Sequence, residues 1–358
     1  MINRYHGGNV WKYPKSSRSA MADFSVNTNP IGMARKVRDG IVRNIDKINY
    51  YPDPESKDLK ESLAKFHGLS RHNFLIGNGS IELIHMIPRA LKAKTVLIPI
   101  PTFSEYEFAA RVNGAKCLFV MSREKNDFRI DISEVISHIP TADLVFLCNP
   151  NNPTGAVLER REILSLLNEC KRCKATLVID EAFIDFAAPE KRSSMLAESV
   201  KTRNLLVLRS LTKLFVVPGI RVGYAVGHKE TIGKLSIYTY PWNVNTMAQI
   251  IAEDAINDKS YIARTQRIVS EEGAYLYENL KRMKGMTVYP SGANFFLCKL
   301  MGRRVKSAAV LDKKLVNHGI LIRNCGNFRG LNNRFFRVAV RAHMENMELI
   351  SALRTILE

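Results

Sequence analysis

Through the first two thirds of the chain, short apolar runs alternate with longer stretches in which apolar residues recur every three or four positions. The runs KTVLIPIP (94–101), AKCLFVM (115–121), ADLVFLCNP (142–150), ATLVIDEAF (175–183), NLLVLRSL (204–211) and VGYAVG (222–227) read as buried strands. Between them, SIELIHMIPRALKA (80–93) and RREILSLLNECKRC (160–173) carry helical spacing. Strands that alternate with helices predict an α/β fold with a mainly parallel sheet. Near-continuous apolar strands predict that both sheet faces are covered.

From about residue 240 the pattern changes. NTMAQIIAEDAIND (245–258) and YIARTQRIVSEEGAYLYENLKRM (261–283) read as long helices. MTVYPSGANFFLCKL (286–300), HGILIRNC (318–325) and FFRVAVR (335–341) read as strands of a smaller α+β unit. Residues 1–30 are rich in Gly, Asn, Ser and basic residues and read as an irregular arm. The expected organisation is an arm (1–30), a large sheet domain (31–240) and a small C-terminal domain (241–358), with a ligand cleft between the two domains.

Composition narrows the function class. The 358 residues are 46% hydrophobic and 24% charged, an ordinary globular balance that supports a sizeable core. No apolar stretch reaches the roughly 18 residues of a membrane span, and the N-terminus has no apolar signal core, so neither membrane nor secretion is expected. The six cysteines are scattered, and the lone Cys170-x-x-Cys173 pair reads as two unrelated thiols, with no metal site expected. A reducing cytoplasm follows as the expected compartment. The formal net charge is +19, but the basic residues are dispersed and no nucleic-acid motif accompanies them. That leaves a solvated basic surface, or a positive cleft for a small anionic substrate.

Four polar signals fall just after strand ends, where open α/β sheets bind ligands. In IGNGSIELI (76–84), Gly77, Gly79 and Ser80 precede a helix, and a glycine turn at a helix N-terminus presents free N–H groups to a phosphate. NPNNPTG (149–155) is a rigid turn carrying side-chain amides. In VIDEAF (178–183), Asp180 stands at a buried strand end, where a carboxylate is costly unless it meets a cation. Each of these, taken alone, also fits a capped turn, a tight loop or an ordinary ion pair. The fourth signal is SLTKLFVVPGIRVGY (210–224). Ser210 and Thr212 can donate hydroxyls to a phosphate, and Arg221 can pair with it bidentately. Lys213 can become a nucleophile if burial and neighbouring cations lower its pKa.

The order G-N-G-S, N-N-P-T-G, D-E-A-F and S-L-T-K with an arginine eight residues on resembles the fold-type I pyridoxal-phosphate enzymes over nearly the whole chain. The resemblance implies pyridoxal 5′-phosphate as cofactor, Lys213 as the Schiff-base lysine and Asp180 as partner of the pyridine nitrogen. It places Asn152 near the phenolic oxygen. It assigns the phosphate to Gly79, Ser80, the Ile81 N–H, Ser210, Thr212 and Arg221. Tyr106 is expected to stack on the pyridine ring, and Tyr51 to reach the cofactor phosphate of a neighbouring subunit in a homodimer.

Within this group the sequence is similar to threonine-phosphate decarboxylases of cobalamin biosynthesis and to histidinol-phosphate aminotransferases. YHGGN (5–9), DFSVNTNPIG (23–32), GILIRNCGNFRGL (319–331) and FFRVAVR (335–341) favour the decarboxylases. So does Phe183, which stands where aminotransferases usually carry a tyrosine. The resemblance implies substrate contacts from His6, Gly7, Asn27, Asn152, Arg323 and Arg337. Arg341 falls on the Arg337 face of a strand by the two-residue period but reads better as a surface charge at the strand end. The expected reaction is decarboxylation of O-phospho-L-threonine to (R)-1-aminopropan-2-yl phosphate for the cobalamin nucleotide loop. O-phospho-L-serine, giving ethanolamine phosphate, differs from it by one methyl, worth only about 1–3 kcal/mol in a pocket. The alternative is a histidinol-phosphate or related aminotransferase. With the chain ending at Glu358, soon after FFRVAVR, no second activity is expected.

Overall fold

The computed structural model describes residues 6–18, 20–302 and 304–358. Its centre is a seven-stranded sheet made of β1 (Phe74–Gly77), β2 (Thr95–Ile100), β3 (Lys116–Met121), β4 (Leu144–Cys148), β5 (Thr176–Asp180), β6 (Leu205–Ser210) and β7 (Gly223–Val226). The strand order is β1-β7-β6-β5-β4-β2-β3. β7 pairs antiparallel with both neighbours, and every other pairing is parallel. Six strands lie where the apolar runs predicted them. β1 was not foreseen, because its four residues run directly into the glycine turn that dominates the local pattern.

The alternation along these strands shows why the runs read as continuously apolar. Leu97, Val145, Leu177, Ile179 and Val207 join one core, while Val96, Leu144, Phe146, Val178 and Leu208 join another. Both faces are therefore covered. Helices α1 (Ser80–Ala90) and α2 (Glu105–Val112) supply the second core. Helices α3 (Arg160–Arg172) and α4 (Thr246–Ile256) pack into the first. The large core thus continues past residue 240. It hands over to the small core within α5 (Lys259–Lys281), which places Val269 in the first and Leu276 in the second.

The small unit is built on an antiparallel sheet of β8 (Met286–Val288), β9 (Phe295–Leu300), β10 (Arg323–Asn324) and β11 (Phe335–Ala339), in the order β10-β11-β9-β8. HGILIRNC does not form one strand. Ile320–Leu321 pairs in parallel with Ala22–Asp23 of the arm, and only Arg323–Asn324 joins the sheet. The arm is thereby tied to the small unit, with Phe24 fully buried in its core. The C-terminal helix α6 (His343–Leu357), absent from the sequence reading, closes that core through Leu349 and Leu353.

Candidate active site

The C-terminal ends of the parallel strands, the start of α1 and the small sheet together line one cavity of about 420 Å³. Its floor comes directly from the strand ends. Cys148 closes β4 and Asp180 closes β5 as direct partners, and Ser210 closes β6 two residues beyond Leu208, the partner of Asp180. Lys213 follows within a single helical turn, Leu211–Leu214, that lifts it over the sheet edge. Burial, then the Arg221 and Arg337 charges, push its ammonium down to about 8, against the pull of Asp180. A lysine in that range loses its proton far more readily than an ordinary one, which favours action as a nucleophile.

Asp180 is 5% exposed and accepts hydrogen bonds from the Tyr106 hydroxyl (2.8 Å) and the Ala182 N–H (3.0 Å). Burial raises its pKa even so. A carboxylate at a strand end with a neutral hydroxyl as its side-chain partner suits an incoming protonated ring nitrogen. Tyr106 lines the cavity. Its ring is buried and stacks on Phe146, with centroids 5.0 Å apart, and its hydroxyl donates to Asp180. A second aromatic ring of the same segment, Phe103, lines the cavity as well.

Opposite Asp180 lies an anion cradle. Gly79 caps α1 with φ +75°, and Ser80 begins the helix. A Cβ on Gly79 would lie 2.7 Å from Arg221 Nη2, and one on Gly223 would lie 2.4 Å from the Ser80 nitrogen. Neither position has room for a side chain. Ser210 Oγ and Thr212 Oγ1 are 2.8 Å apart, and both line the cavity with Ile81 and Arg221. Helix N-terminus, paired hydroxyls and guanidinium converge as a phosphate site requires. Together with Asp180 and Lys213, these residues fit pyridoxal phosphate at both of its polar ends.

The other wall carries cations. Arg323 and Arg337 are direct partners across β10 and β11, and both are buried, at 3% and 5% exposure. Arg337 donates to Asn152 Oδ1 and to the Ser25 carbonyl, the latter at 2.8 Å. Its Nε has no partner among the described residues, nor has Asn27 Oδ1, which also lines the cavity. Burial pushes the Arg337 guanidinium down to about 10. Arg323 donates to the Asn324 carbonyl and to Asn327 Oδ1 (2.9 Å) and lies over the Phe328 ring, 5.0 Å away. From the arm, Gly7 packs so closely that a Cβ would lie 2.2 Å from the Ser25 carbonyl oxygen. His6 reaches the cavity with Nε2 2.9 Å from Glu105 Oε1.

Two residues lie apart. Tyr51 is 80% exposed and stacks on Trp242, with centroids 4.7 Å apart, outside the cavity of its own chain. Arg341 follows the end of β11 and pairs with Glu345 at 2.7 Å. Lining residues that were not foreseen include Glu105, Phe103 and Phe328. Glu105 lies beside Tyr106 in PTFSEYE (101–107), and a buried acid next to a cavity aromatic was the available signal. Glu181, next to Asp180, instead serves the fold through a 3.0 Å ion pair with buried Arg209.

The model of the family "Aminotransferase class I and II" matches residues 19–356. The chain is 34% identical to a threonine-phosphate decarboxylase of Salmonella typhimurium, over 100% of this chain and 98% of that one. Among solved structures, it resembles an L-threonine-O-3-phosphate decarboxylase from Porphyromonas gingivalis at 30% identity and a TM-score of 0.84, covering 93% of this chain and 98% of that one. It also resembles a histidinol-phosphate aminotransferase from Clostridium acetobutylicum at 31% identity and a TM-score of 0.86, with the same two coverages, 93% and 98%.

Proposed function

The chain belongs to the aminotransferase class I and II family, and from that premise we propose that it is a pyridoxal-phosphate-dependent carboxy-lyase acting on O-phospho-L-threonine. The product is (R)-1-aminopropan-2-yl phosphate, and O-phospho-L-serine is a second candidate substrate. One observation carries the reading: two buried guanidinium groups stand in register on the wall facing Lys213 and Asp180. A substrate with a phosphate and a carboxylate offers one anion to each. The relatives named above support the same substrate class.

The roles follow from placement. Gly79, Ser80, Ile81, Ser210, Thr212 and Arg221 would hold the cofactor phosphate, Asp180 would face its ring nitrogen, and Lys213 would supply the amine that attaches it. Pyridoxal phosphate bound there supplies the sink for electrons released at the substrate Cα. Arg323 and Arg337, with Asn152, Asn27, Gly7 and His6, would hold the phosphate and carboxylate of the substrate and so fix its orientation. Lys213 Nζ is then the group placed to return a proton to Cα. The Gly7–Ser25 contact and the Phe24 anchor support the arm as a cover that keeps water from the site. Phe183 packs edge-on against Phe295 and brings no hydroxyl to the cavity, which favours decarboxylation over transamination.

The separate apolar cores support a large and a small domain. An exposed apolar cluster that includes Tyr50, Tyr51 and Trp242 supports a homodimer in which Tyr51 serves the neighbouring site. Six free cysteines suit a reducing cytoplasm. No helix of the described residues is long and apolar enough to cross a membrane. The test is parallel assay of phosphothreonine, phosphoserine, and histidinol phosphate with 2-oxoglutarate. Carbon dioxide from the first supports the proposal. Glutamate from the third, with no carbon dioxide from the first, overturns it in favour of an aminotransferase.

A further inference from the structure

The first turn of α2 carries three consecutive side chains that reach three different parts of the fold. Glu105 meets His6 of the arm, Tyr106 meets Asp180, and Glu107 meets Arg329 of the segment that follows β10. The third contact has no part in the roles assigned above. Arg329 grips Glu107 with two parallel bonds, Nε to Oε2 at 3.0 Å and Nη2 to Oε1 at 2.8 Å, across 222 positions of sequence. Its guanidinium also lies 4.6 Å from the centroid of the Phe119 ring on β3. Glu107 is itself buried and takes a further bond from Arg111, at 2.9 Å. The fork is thus held rigidly on the large-sheet side.

Arg329 does not line the cavity, but its two predecessors hold a residue that does. Asn327 accepts from Arg323, and Phe328 lies beneath the Arg323 guanidinium. The connection runs from Glu107 through Arg329 and the 327–328 backbone to Arg323. We propose that Arg329 is a positioning residue, which sets the Arg323 guanidinium against the large-sheet wall through its fork on Glu107. The proposal rests on the reading of Arg323 as a substrate anchor. A bidentate fork fixes direction as well as distance, and displacements near 1 Å at an anchoring charge are enough to cost rate.

Arg329 is half exposed, so its removal leaves no buried cavity and the fold should persist. The test compares wild type, Arg329→Lys, Arg329→Ala and Arg323→Ala as cofactor-loaded enzymes. Hydrogen–deuterium exchange of residues 324–331 is measured without substrate, and KM and kcat are measured with O-phospho-L-threonine. Arg329→Ala should exchange faster in that segment and raise KM on the order of tenfold, with the cofactor absorbance band unchanged. Arg329→Lys keeps the charge but loses the fork, and should fall between wild type and Ala in both readouts. Unchanged exchange in Arg329→Ala overturns the proposal, and so does faster exchange with an unchanged KM. A raised KM with unchanged exchange also overturns it, because Arg329 would then act on substrate without positioning the segment. If Arg323→Ala keeps the wild-type KM, the substrate-anchor reading fails, while the exchange result still reports on the fork.

Discussion

Replacing Arg337 by methionine should separate binding from folding. The side chain is 5% exposed, and burial holds its guanidinium down at about 10. Keeping that charge in the substrate-free protein costs on the order of 3 kcal/mol, since each tenfold change in proton affinity is about 1.4 kcal/mol. Against this stand two bonds that the guanidinium donates, to Asn152 Oδ1 and to the Ser25 carbonyl, each worth about 1 kcal/mol. Methionine fills much of the same volume along the Phe295 ring, which the guanidinium faces at 5.0 Å. The terms nearly cancel, so Arg337→Met should leave stability within about 1 kcal/mol of wild type. Activity has no such compensation. Losing a charge-assisted contact to a buried substrate anion costs about 2–5 kcal/mol, or roughly 30- to 4000-fold in kcat/KM. Thermal unfolding and carbon dioxide release, measured on one preparation, decide it. A kcat/KM within threefold of wild type would refute the anchor role. A stability loss above about 3 kcal/mol would show that the guanidinium mainly serves the fold.

Lys213→Ala should abolish turnover and the borohydride-reducible visible band while the protein remains folded; a surviving reducible band would move the attachment site elsewhere. Asp180→Asn should lower kcat on the order of a hundredfold or more, and a near-normal rate would make Asp180 structural. The Lys213 ammonium is pushed down to about 8 from an ordinary lysine value of 10.5. In the cofactor-free protein the charge is therefore destabilising below pH 8, and that cost is relieved as pH rises from about 8 to 10.5. The stability difference between wild type and Lys213→Met should shrink over that window, and a pH-independent difference would contradict the burial argument. With a net charge of +19, raising salt to about 0.3 M should lower kcat/KM more than kcat for the phosphorylated substrate; a flat response would assign the charge to surface solvation alone.

The sequence disclosed those parts of the site whose chemistry is written into contiguous residues. Strand ends at Cys148, Asp180 and Ser210, and the Gly79–Ser80 turn, are local signals that follow from apolar run length and glycine placement. Pairings across long separations were not legible in the same way. That Arg323 faces Arg337 depends on a two-residue strand, cut from the run HGILIRNC when Ile320–Leu321 turns aside to the arm. No periodicity reports that division. Tyr106 and Phe103 are both aromatic and three residues apart, and both line the cavity; that Tyr106 also stacks on Phe146 from β4 is a fact of tertiary packing. The large core running past residue 240 was hidden for a related reason. Amphipathic spacing shows that Thr246–Ile256 is a helix with a buried face, but not which sheet that face covers.

The segment PTFSEYE shows how much one turn can carry when its neighbours are known. As sequence it offered one aromatic candidate; as structure, Glu105, Tyr106 and Glu107 bind the arm, the floor and the segment that follows β10 in turn. Each contact is made by a buried side chain, and an unpartnered buried acid is costly. Glu105 also meets His85 at 3.0 Å and Glu107 accepts from Arg111 at 2.9 Å, so docking of His6 and Arg329 adds a second partner to each buried acid. Arm and wall are drawn to the same helical turn that fixes the Asp180 carboxylate, so the groups proposed to hold substrate and cofactor share one reference frame. Loosening either acid should disturb substrate geometry before it disturbs the cofactor site. A uniform loss of cofactor binding in Glu107→Gln would contradict that order.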